Sequence, residues 1–251
     1  MLYIEGAAGI SGDMTVGALL SLGASQERLK AVLDSLKLGD EFSYVISEKA
    51  SYGIAGTDFD VILPHRHHHH EHGHHHHHEH RNLADVESII DRGEMSDRAR
   101  SLAKKAFRFV AEAEAKAHGK PLDEVHFHEV GAIDSIVDIV SAVVLFDDLG
   151  ETECVVTGLT EGSGTVMCAH GELPVPVPAV LNIAAATGVP LRVSDVKGEC
   201  VTPTGIALAA AFRTRETLPA AYRVKGVGIG LGKRDYGRPA ILRIMKIEAA
   251  E

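Results

Sequence analysis

The sequence has no tryptophan, few aromatic residues and only three cysteines. Aromatic residues make up 5% of the 251 residues, too few to build a stacking platform for single-stranded nucleic acid. Cys154, Cys168 and Cys200 stand far apart and form no C-x-x-C pair, which argues against a disulfide framework or a thiolate zinc site and predicts reduced thiols. Positive charge is also scarce: 25 Lys and Arg oppose 35 Asp and Glu, for a net charge of -10. We therefore expect no nucleic-acid partner.

Long apolar runs are absent from the sequence as well. No stretch approaches the ~20 residues that cross a bilayer, and the opening MLYIEGAAG has neither the basic nor the apolar region of a secretory signal. We therefore expect a cytoplasmic protein without a membrane partner. Hydrophobic residues at 45% and charged residues at 24% are typical of a folded globular chain.

The apolar patterns predict a mixed α/β fold with mixed sheets and packed helices. Predicted strands cover 2–4, 153–157, 222–230 and 240–247, with a hairpin over 41–63, and predicted helices cover 14–22, 26–36, 82–92, 96–118, 132–149, 178–187 and 204–213. The Gly- and Pro-rich stretches between 157 and 204 otherwise indicate loops. Glycines alternate with apolar residues over 226–232, so one face of that strand is bare and packs against either a helix or a flat ligand.

Histidine is the residue in excess. The segment 65–80, HRHHHHEHGHHHHHEH, holds 12 of the 16 histidines and no apolar side chain, which predicts a disordered surface loop between an N-terminal α/β segment, 1–64, and the remainder, 81–251. That remainder completes the same domain or forms a second small one. Imidazoles bind Zn, Cu, Fe and Ni, so the predicted metal-capture residues are His67, His68, His69, His70, His72, His74, His75, His76, His77, His78 and His80. The alternatives are an expression tag and a solvated loop without a role.

The segment DEVHFHEVGAIDSIVDIV carries a second candidate metal group. His126 and His128 lie two apart in an extended connector, and Glu129 follows them. Asp134 and Asp138 are four apart on one face of the next, otherwise apolar helix, where a cation between them would offset the cost of burying carboxylates. The alternative is that Asp134 interacts with the helix dipole and Asp138 pairs with an Arg or Lys.

Glycine loops and helix starts supply candidate anion-binding groups, although EGAAGISGD is neither a P-loop nor a dinucleotide fingerprint. The candidate nucleotide- or anion-binding residues are Gly9, Ser11, Gly12, Asp13, Thr202 and Thr204. Asp13 either caps its helix or holds a magnesium-type ion, and helix capping alone accounts for Thr202. His170, in the loop HGELPVPVP, is either a structural hydrogen-bonding group or a ligand. The sequence identifies no separate catalytic residue.

Taken together, EGAAGISGDM, the histidine segment, VHFHEVGAIDSIVDIV, GSGTVMCAHGELPVPVPAV, ECVTPTG and GVGIGLGKRDYGRPAILRI resemble the LarC family, the nickel insertion proteins of the lactate racemase cofactor pathway. The resemblance runs from Met1 to about Ile247. It implies a CTP-dependent cyclometallase that places nickel into a dithiocarboxylated pyridinium mononucleotide, forming carbon–nickel and sulfur–nickel bonds while CTP is split to CMP and pyrophosphate.

The resemblance also implies which parts of the reaction this chain carries. Family members commonly continue into a C-terminal domain associated with CTP and its magnesium or manganese ion, and this chain ends before it. We expect the chain to be the nickel-handling part, with that domain and lactate racemase as partners and a homo-oligomeric state. A naturally short form, one product of a divided gene and an excised piece remain open.

Two other functions compete with nickel insertion at this stage. A non-catalytic nickel store or metallochaperone would need only the histidine segment. A zinc-dependent hydrolase would use the His and Asp group, but no nucleophile or general base is separately evident.

Overall fold

The computed structural model describes residues 1–64, 81–124, 133–168 and 170–250 and confirms the mixed α/β class. Its helices are α1 (Gly12–Ser21), α2 (Gln26–Ser35), α3 (Leu83–Arg92), α4 (Asp97–His118), α5 (Ile133–Asp148), α6 (Pro178–Thr187) and α7 (Pro203–Phe212). Its strands are β1 (Leu2–Gly6), β2 (Ser43–Ser51), β3 (Ile54–Ile62), β4 (Cys154–Ser163), β5 (Thr165–Cys168), β6 (Gly171–Pro174), β7 (Leu191–Lys197), β8 (Tyr222–Leu231) and β9 (Ile241–Ala249). The loop expected at 65–80 lies outside the described residues.

Seven of these strands form one mixed sheet in the order β2-β3-β8-β9-β1-β4-β7, and β5 pairs with β6 in a separate hairpin. Strands β1, β4 and β7 run parallel, whereas β9 is antiparallel to both β1 and β8. Strands from both sides of residues 65–80 therefore share the same sheet. Among the described helices, none is long and apolar enough to cross a membrane.

Helix boundaries follow local capping chemistry. The Ser25 side chain accepts a hydrogen bond from the Arg28 backbone N–H, and Asn82 forms a reciprocal capping box with Asp85. Such caps satisfy backbone groups that the first turn leaves without partners. Helix α4 ends at Gly119, whose φ of 61° is the left-handed conformation that glycine adopts at low cost. The predicted starts of α2 and α3 and the predicted end of α4 are confirmed.

The glycine-rich face of β8 is covered by α1. A Cβ on Gly228 would lie 2.0 Å from the Ala18 carbonyl oxygen, and one on Gly230 would lie 1.8 Å from the Met14 carbonyl oxygen. The absent side chains let the helix backbone pack directly on the strand. Helix packing is confirmed, and the flat ligand considered for this face is excluded because the helix fills the space.

Two predicted loops are wrong, since they contain strands. Residues 165–168 and 171–174 form the β5–β6 hairpin, and Leu191–Lys197 forms β7. Strand β4 also continues past the predicted end at 157 to Ser163. The glycines of this stretch predict a loop locally, but pairing with strands distant in sequence decides the structure. A Cβ on Gly162 would lie 1.8 Å from the Gly198 carbonyl oxygen, so a glycine at this position leaves room for the segment that follows β7.

The helices pack on one face of the sheet. Leu2 and Ile4 of β1 are fully buried in the main core on that face, where Phe146 of α5 stacks on Phe212 of α7 with ring centroids 4.0 Å apart. Because strand side chains alternate, Glu5 lies on the opposite face, where it pairs with Arg243. The carboxyl ends of the parallel neighbours β1 and β4 meet at one sheet edge, the usual position of ligand sites in such sheets.

The three cysteines are free thiols. Cys154 and Cys200 are buried, and burial raises the pKa of Cys154 to about 12. The Cys154 thiol is therefore protonated at neutral pH and has little nucleophilic or metal-binding character.

Candidate functional site

Two loops meet at the carboxyl end of β1. The Ile10 N–H donates to the Cys200 carbonyl oxygen at 2.9 Å, and the Thr202 N–H donates to the Ile10 carbonyl oxygen at 3.0 Å. Gly9, with φ of 98°, would place a Cβ 2.2 Å from the Cys200 oxygen, and Gly205 would place one 2.3 Å from the Ile10 oxygen. These glycines bring the starts of α1 and α7 side by side.

Gly12 and Asp138 bring α1 against α5. A Cβ on Gly12 would lie 2.4 Å from Asp138 Oδ2, while Asp138 Oδ1 is buried and has no hydrogen-bond partner. The pKa of Asp138 is raised well above its ordinary value, first by burial, then by the charges of Asp13 and Asp134; Lys233 and the Asp13 backbone N–H act in the opposite direction. An anionic Asp138 is therefore costly here unless a cation joins it.

Asp13 and Lys233 complete this acidic cluster, which we define as Asp13, Asp134, Asp138 and Lys233. Asp13 Oδ1 accepts hydrogen bonds from the Ser11 hydroxyl and from the Met14 N–H, the latter at 2.9 Å. Lys233 Nζ lies 3.6 Å from Asp13 Oδ2 and also pairs with Asp60. Burial lowers the pKa of Lys233, but these carboxylates outweigh it and the net shift is upward. Lys233 is therefore a cation beside the carboxylates.

The predicted metal group is only partly described. Asp134 lies in the first turn of α5, the position that an interaction with the helix dipole requires. It accepts a hydrogen bond from the Ser135 N–H at 2.8 Å. His126, His128 and Glu129 lie outside the described residues. Within 1–64, 81–124, 133–168 and 170–250, no group of three His, Cys, Asp or Glu side chains is arranged to hold a metal ion. The five-residue metal group stays a prediction.

The predicted anion-binding residues surround the junction of the two loops. The Thr202 hydroxyl accepts the Gly205 N–H at 3.1 Å, so the expected helix cap is confirmed, and Thr204 is buried. At Gly9 and Gly12 the space next to Cα is filled by the Cys200 carbonyl and by the Asp138 carboxylate. The backbone freedom of these two glycines therefore serves contacts inside the protein, and their anion binding stays a prediction.

Glu161 is a buried charged residue that sequence reasoning missed. It is fully buried in β4, and its Oε1 accepts the N–H groups of Gly162, Cys200 and Val201 at 2.7, 2.6 and 2.9 Å. Its Oε2 is buried without a hydrogen-bond partner. The available signal was a single charged residue within the otherwise uncharged run VVTGLTEG. Glu161 holds the loop that leads to Thr202 and α7.

A cavity of about 370 Å³ opens between α4, the β5–β6 hairpin and the starts of α6 and α7. The rings of His118 and His170 meet at its edge, with centroids 4.8 Å apart and planes inclined by 47°. A histidine–carboxylate contact and an ion pair line it: His118 Nε2 lies 3.4 Å from Glu114 Oε2, and Arg234 Nη1 lies 3.3 Å from Glu199 Oε2. Its apolar wall contains Val166, Leu173, Val177, Pro178 and Pro203.

Comparisons with known proteins identify the family of the chain. The family described as "Nickel insertion protein" matches residues 2–251. The chain belongs to the nickel insertion protein family. Relatives named pyridinium-3,5-bisthiocarboxylic acid mononucleotide nickel insertion protein come from Alkaliphilus metalliredigens, 52% identical over 98% of this chain, and from Acetivibrio thermocellus, 43% identical over 100% of it. No solved structure matches the chain.

The relatives of the nickel insertion family are longer than this chain. It covers 60% of the Alkaliphilus protein and 61% of the Acetivibrio protein. The chain therefore spans about three fifths of the length of the curated relatives it matches.

Proposed function

We propose that this chain takes part in inserting nickel into pyridinium-3,5-bisthiocarboxylic acid mononucleotide, here called the pincer nucleotide, in a CTP-dependent reaction of the metal–ligand lyase class. The observation that carries the proposal is membership of the nickel insertion family over residues 2–251, together with relatives named for this substrate. We assign the chain the nickel-handling part. Magnesium or manganese would accompany CTP, bound mainly outside this chain, and the product would activate lactate racemase in the cytoplasm.

Nickel is a substrate of this reaction, and the acidic cluster supports a place for it. Asp138 has a buried oxygen without a hydrogen-bond partner, and Asp13 and Asp134 add negative charge beside it. His126, His128 and Glu129 precede α5 directly in sequence, and imidazole with carboxylate suits a borderline divalent ion. We propose that these groups together hold nickel in an ordered site.

The chemistry of insertion gives the carboxylates a second task. A carbon–nickel bond to the pincer ring replaces a carbon–hydrogen bond, so one proton must leave the ring as nickel enters. Carboxylates within reach of the metal are suitable acceptors for that proton. Gly9, Ser11, Gly12, Asp13, Thr202 and Thr204 remain the proposed groups for phosphate. The segment 65–80 would collect nickel for the ordered site.

Reconstitution tests the proposal. The chain would be combined with nickel, CTP, magnesium or manganese and the pincer nucleotide, and assayed by activation of apo lactate racemase. We expect activity when the C-terminal portion of a family member is supplied in trans. Activity without that portion would place CTP use within this chain and overturn the proposed division. Nickel binding without activity in either case would contradict insertion.

A nickel store or metallochaperone is the second candidate, favoured by the 12 histidines within residues 65–80. Replacing this segment with a Gly/Ser linker of equal length distinguishes the two. A store loses nearly all nickel capacity and function. An insertase with an ordered site loses efficiency at low nickel concentration but retains activity at saturating nickel.

A further inference from the structure

The cavity beside His118 and His170 is not used by the acidic cluster, and its lining suits a particular ligand. We propose that it binds the pyridinium ring of a mononucleotide with anionic ring substituents. This inference rests on the proposed function, because the names of the relatives supply the substrate class. It goes beyond the proposed function by naming the residues that contact the ring.

The size and walls of the cavity fit one small ligand. About 370 Å³ lies at the lower end of the range for small-molecule sites, roughly 300–1,000 Å³. Pro178 and Pro203 occupy the first positions of α6 and α7, and their rings fix the local backbone. The apolar wall is therefore built on rigid elements, which reduces the ordering that a bound ring requires.

Planar groups also line the cavity. His118 and His170 present two imidazole rings, and Arg234 presents a guanidinium plane whose side chain is 52% exposed. Histidine rings are surfaces on which flat heteroaromatic rings stack, while the Arg234 cation suits the anionic substituents at the rim of such a ring. A pyridinium ring is such a group, and stacking adds to the apolar contact with the wall.

The charges in the cavity match a zwitterionic ring. Glu114 and Glu199 contribute carboxylates, and Arg234 contributes a permanent cation paired with Glu199. A pyridinium nitrogen is positive and its carboxyl-type substituents are negative. Both signs of charge on the ligand therefore find a partner, although the chain as a whole carries a net charge of -10.

The position of the cavity also fits insertion. Lys233 faces Asp13 in the acidic cluster, and the next residue, Arg234, lines the cavity. Pro203, between the proposed phosphate-binding residues Thr202 and Thr204, lines it too. Chain neighbours thus connect the cavity both to the proposed nickel site and to the proposed phosphate groups, which is the arrangement that insertion into a bound ring requires.

The test is direct binding of nicotinic acid mononucleotide, a pyridinium mononucleotide with one ring carboxylate, to this chain by isothermal titration calorimetry without nickel or CTP. We expect Arg234→Ala and His170→Ala to weaken binding about tenfold or more, and His170→Phe, which retains a ring, to bind within about threefold of the original chain. Arg243→Ala is the matched control, because Arg243 is also an ion-paired arginine with a side chain 47% exposed, on the opposite sheet face. Its binding should be unchanged.

Three results would overturn the inference. The first is that the original chain does not bind the probe at millimolar concentration. The second is that Arg234→Ala and His170→Ala, shown to be folded by their melting curves, bind the probe as tightly as the original chain does. The third is that CMP, which shares only the ribose phosphate with the probe, binds with the same affinity as the probe. The proposed function fails separately. If the probe binds in a way that depends on Arg234 but the reconstitution shows no activity, the cavity proposal stands and the insertion proposal is wrong. If the reconstitution is active and Arg234→Ala leaves the KM for the pincer nucleotide unchanged, the insertion proposal stands and the cavity proposal is wrong.

Discussion

Gly12 at the start of α1 faces the Asp138 carboxylate of α5 so closely that a Cβ on Gly12 would lie 2.4 Å from Asp138 Oδ2 and 2.7 Å from Asp138 Cβ. Glycine is thus what allows the start of α1 to contact a carboxylate from a helix more than a hundred residues away in sequence. The contact joins two residues that sequence reasoning had placed in separate sites, one for anions and one for a metal.

Gly12→Ala is expected to lower the free energy of unfolding by about 1–3 kcal/mol, because the new methyl group overpacks this contact. Urea denaturation of the metal-free chain measures the loss. Asp138→Gly removes the facing side chain, so we expect Gly12→Ala to cost clearly less in that background. Additive losses in the double-mutant cycle would show that Gly12 and Asp138 do not constrain each other.

Asp138→Asn is expected to change how stability depends on pH. Because the folded pKa of Asp138 is raised, this residue costs nothing at low pH, where it is protonated in both states, and lowers stability as pH rises from its unfolded pKa through its folded pKa. Each pKa unit of upward shift corresponds to about 1.4 kcal/mol. The asparagine variant should therefore gain stability relative to the original chain as pH rises above about 4.

Melting temperatures of the two proteins, measured with a chelator present over this pH range, test the prediction. Asp195→Asn is a suitable control, because Asp195 is an exposed carboxylate of β7 that does not belong to the acidic cluster. Parallel pH curves for Asp138→Asn and the original chain would contradict an Asp138 carboxyl whose pKa is raised by burial. Added nickel should stabilise the original chain more than the asparagine variant if the carboxylate binds the metal.

The sequence predicts most accurately the elements that are stabilised by residues close to them in the chain, such as capped helices. Helices α2 and α3 are preceded by Ser25 and Asn82, whose side chains accept hydrogen bonds from backbone N–H groups three residues later. Strand β7 was missed because its pairing with β4 joins Leu191 to Leu159 across the sheet, and most of its residues are exposed at the edge. Its apolar alternation is correspondingly weak.

The candidate site was predictable in its residue types but not in its grouping. Asp13 and Asp138 were both identified as ionic candidates, yet only the packing of α1 on α5 shows that their charges interact. Lys233 was not singled out, because a lysine in a loop is ordinarily solvated. Glu161 was missed because its three backbone partners include Cys200 and Val201, about forty residues later.

Glu161→Ala is expected to lower stability by about 3 kcal/mol or more, since three buried N–H groups would lose their common acceptor and each costs about 1–3 kcal/mol when left unpaired. Glu161→Gln retains a side-chain oxygen and should cost much less. Amide hydrogen exchange at Cys200 and Val201 gives a local readout, with protection lost in the alanine variant and largely kept in the glutamine variant. Unchanged protection in Glu161→Ala would mean that Glu161 does not hold this loop.

Replacing residues 65–80 with a Gly/Ser linker is expected to remove most weakly selective nickel binding, because this segment holds 12 imidazoles, which bind several transition metals. The double variant His126→Ala/His128→Ala should instead abolish the tighter, ordered binding and leave the high-capacity binding in place. Equilibrium dialysis with nickel, compared between the two variants, separates these classes by stoichiometry and affinity. If the linker variant loses both classes, residues 65–80 contain the only nickel site, and the grouping of His126 and His128 with Asp138 is wrong.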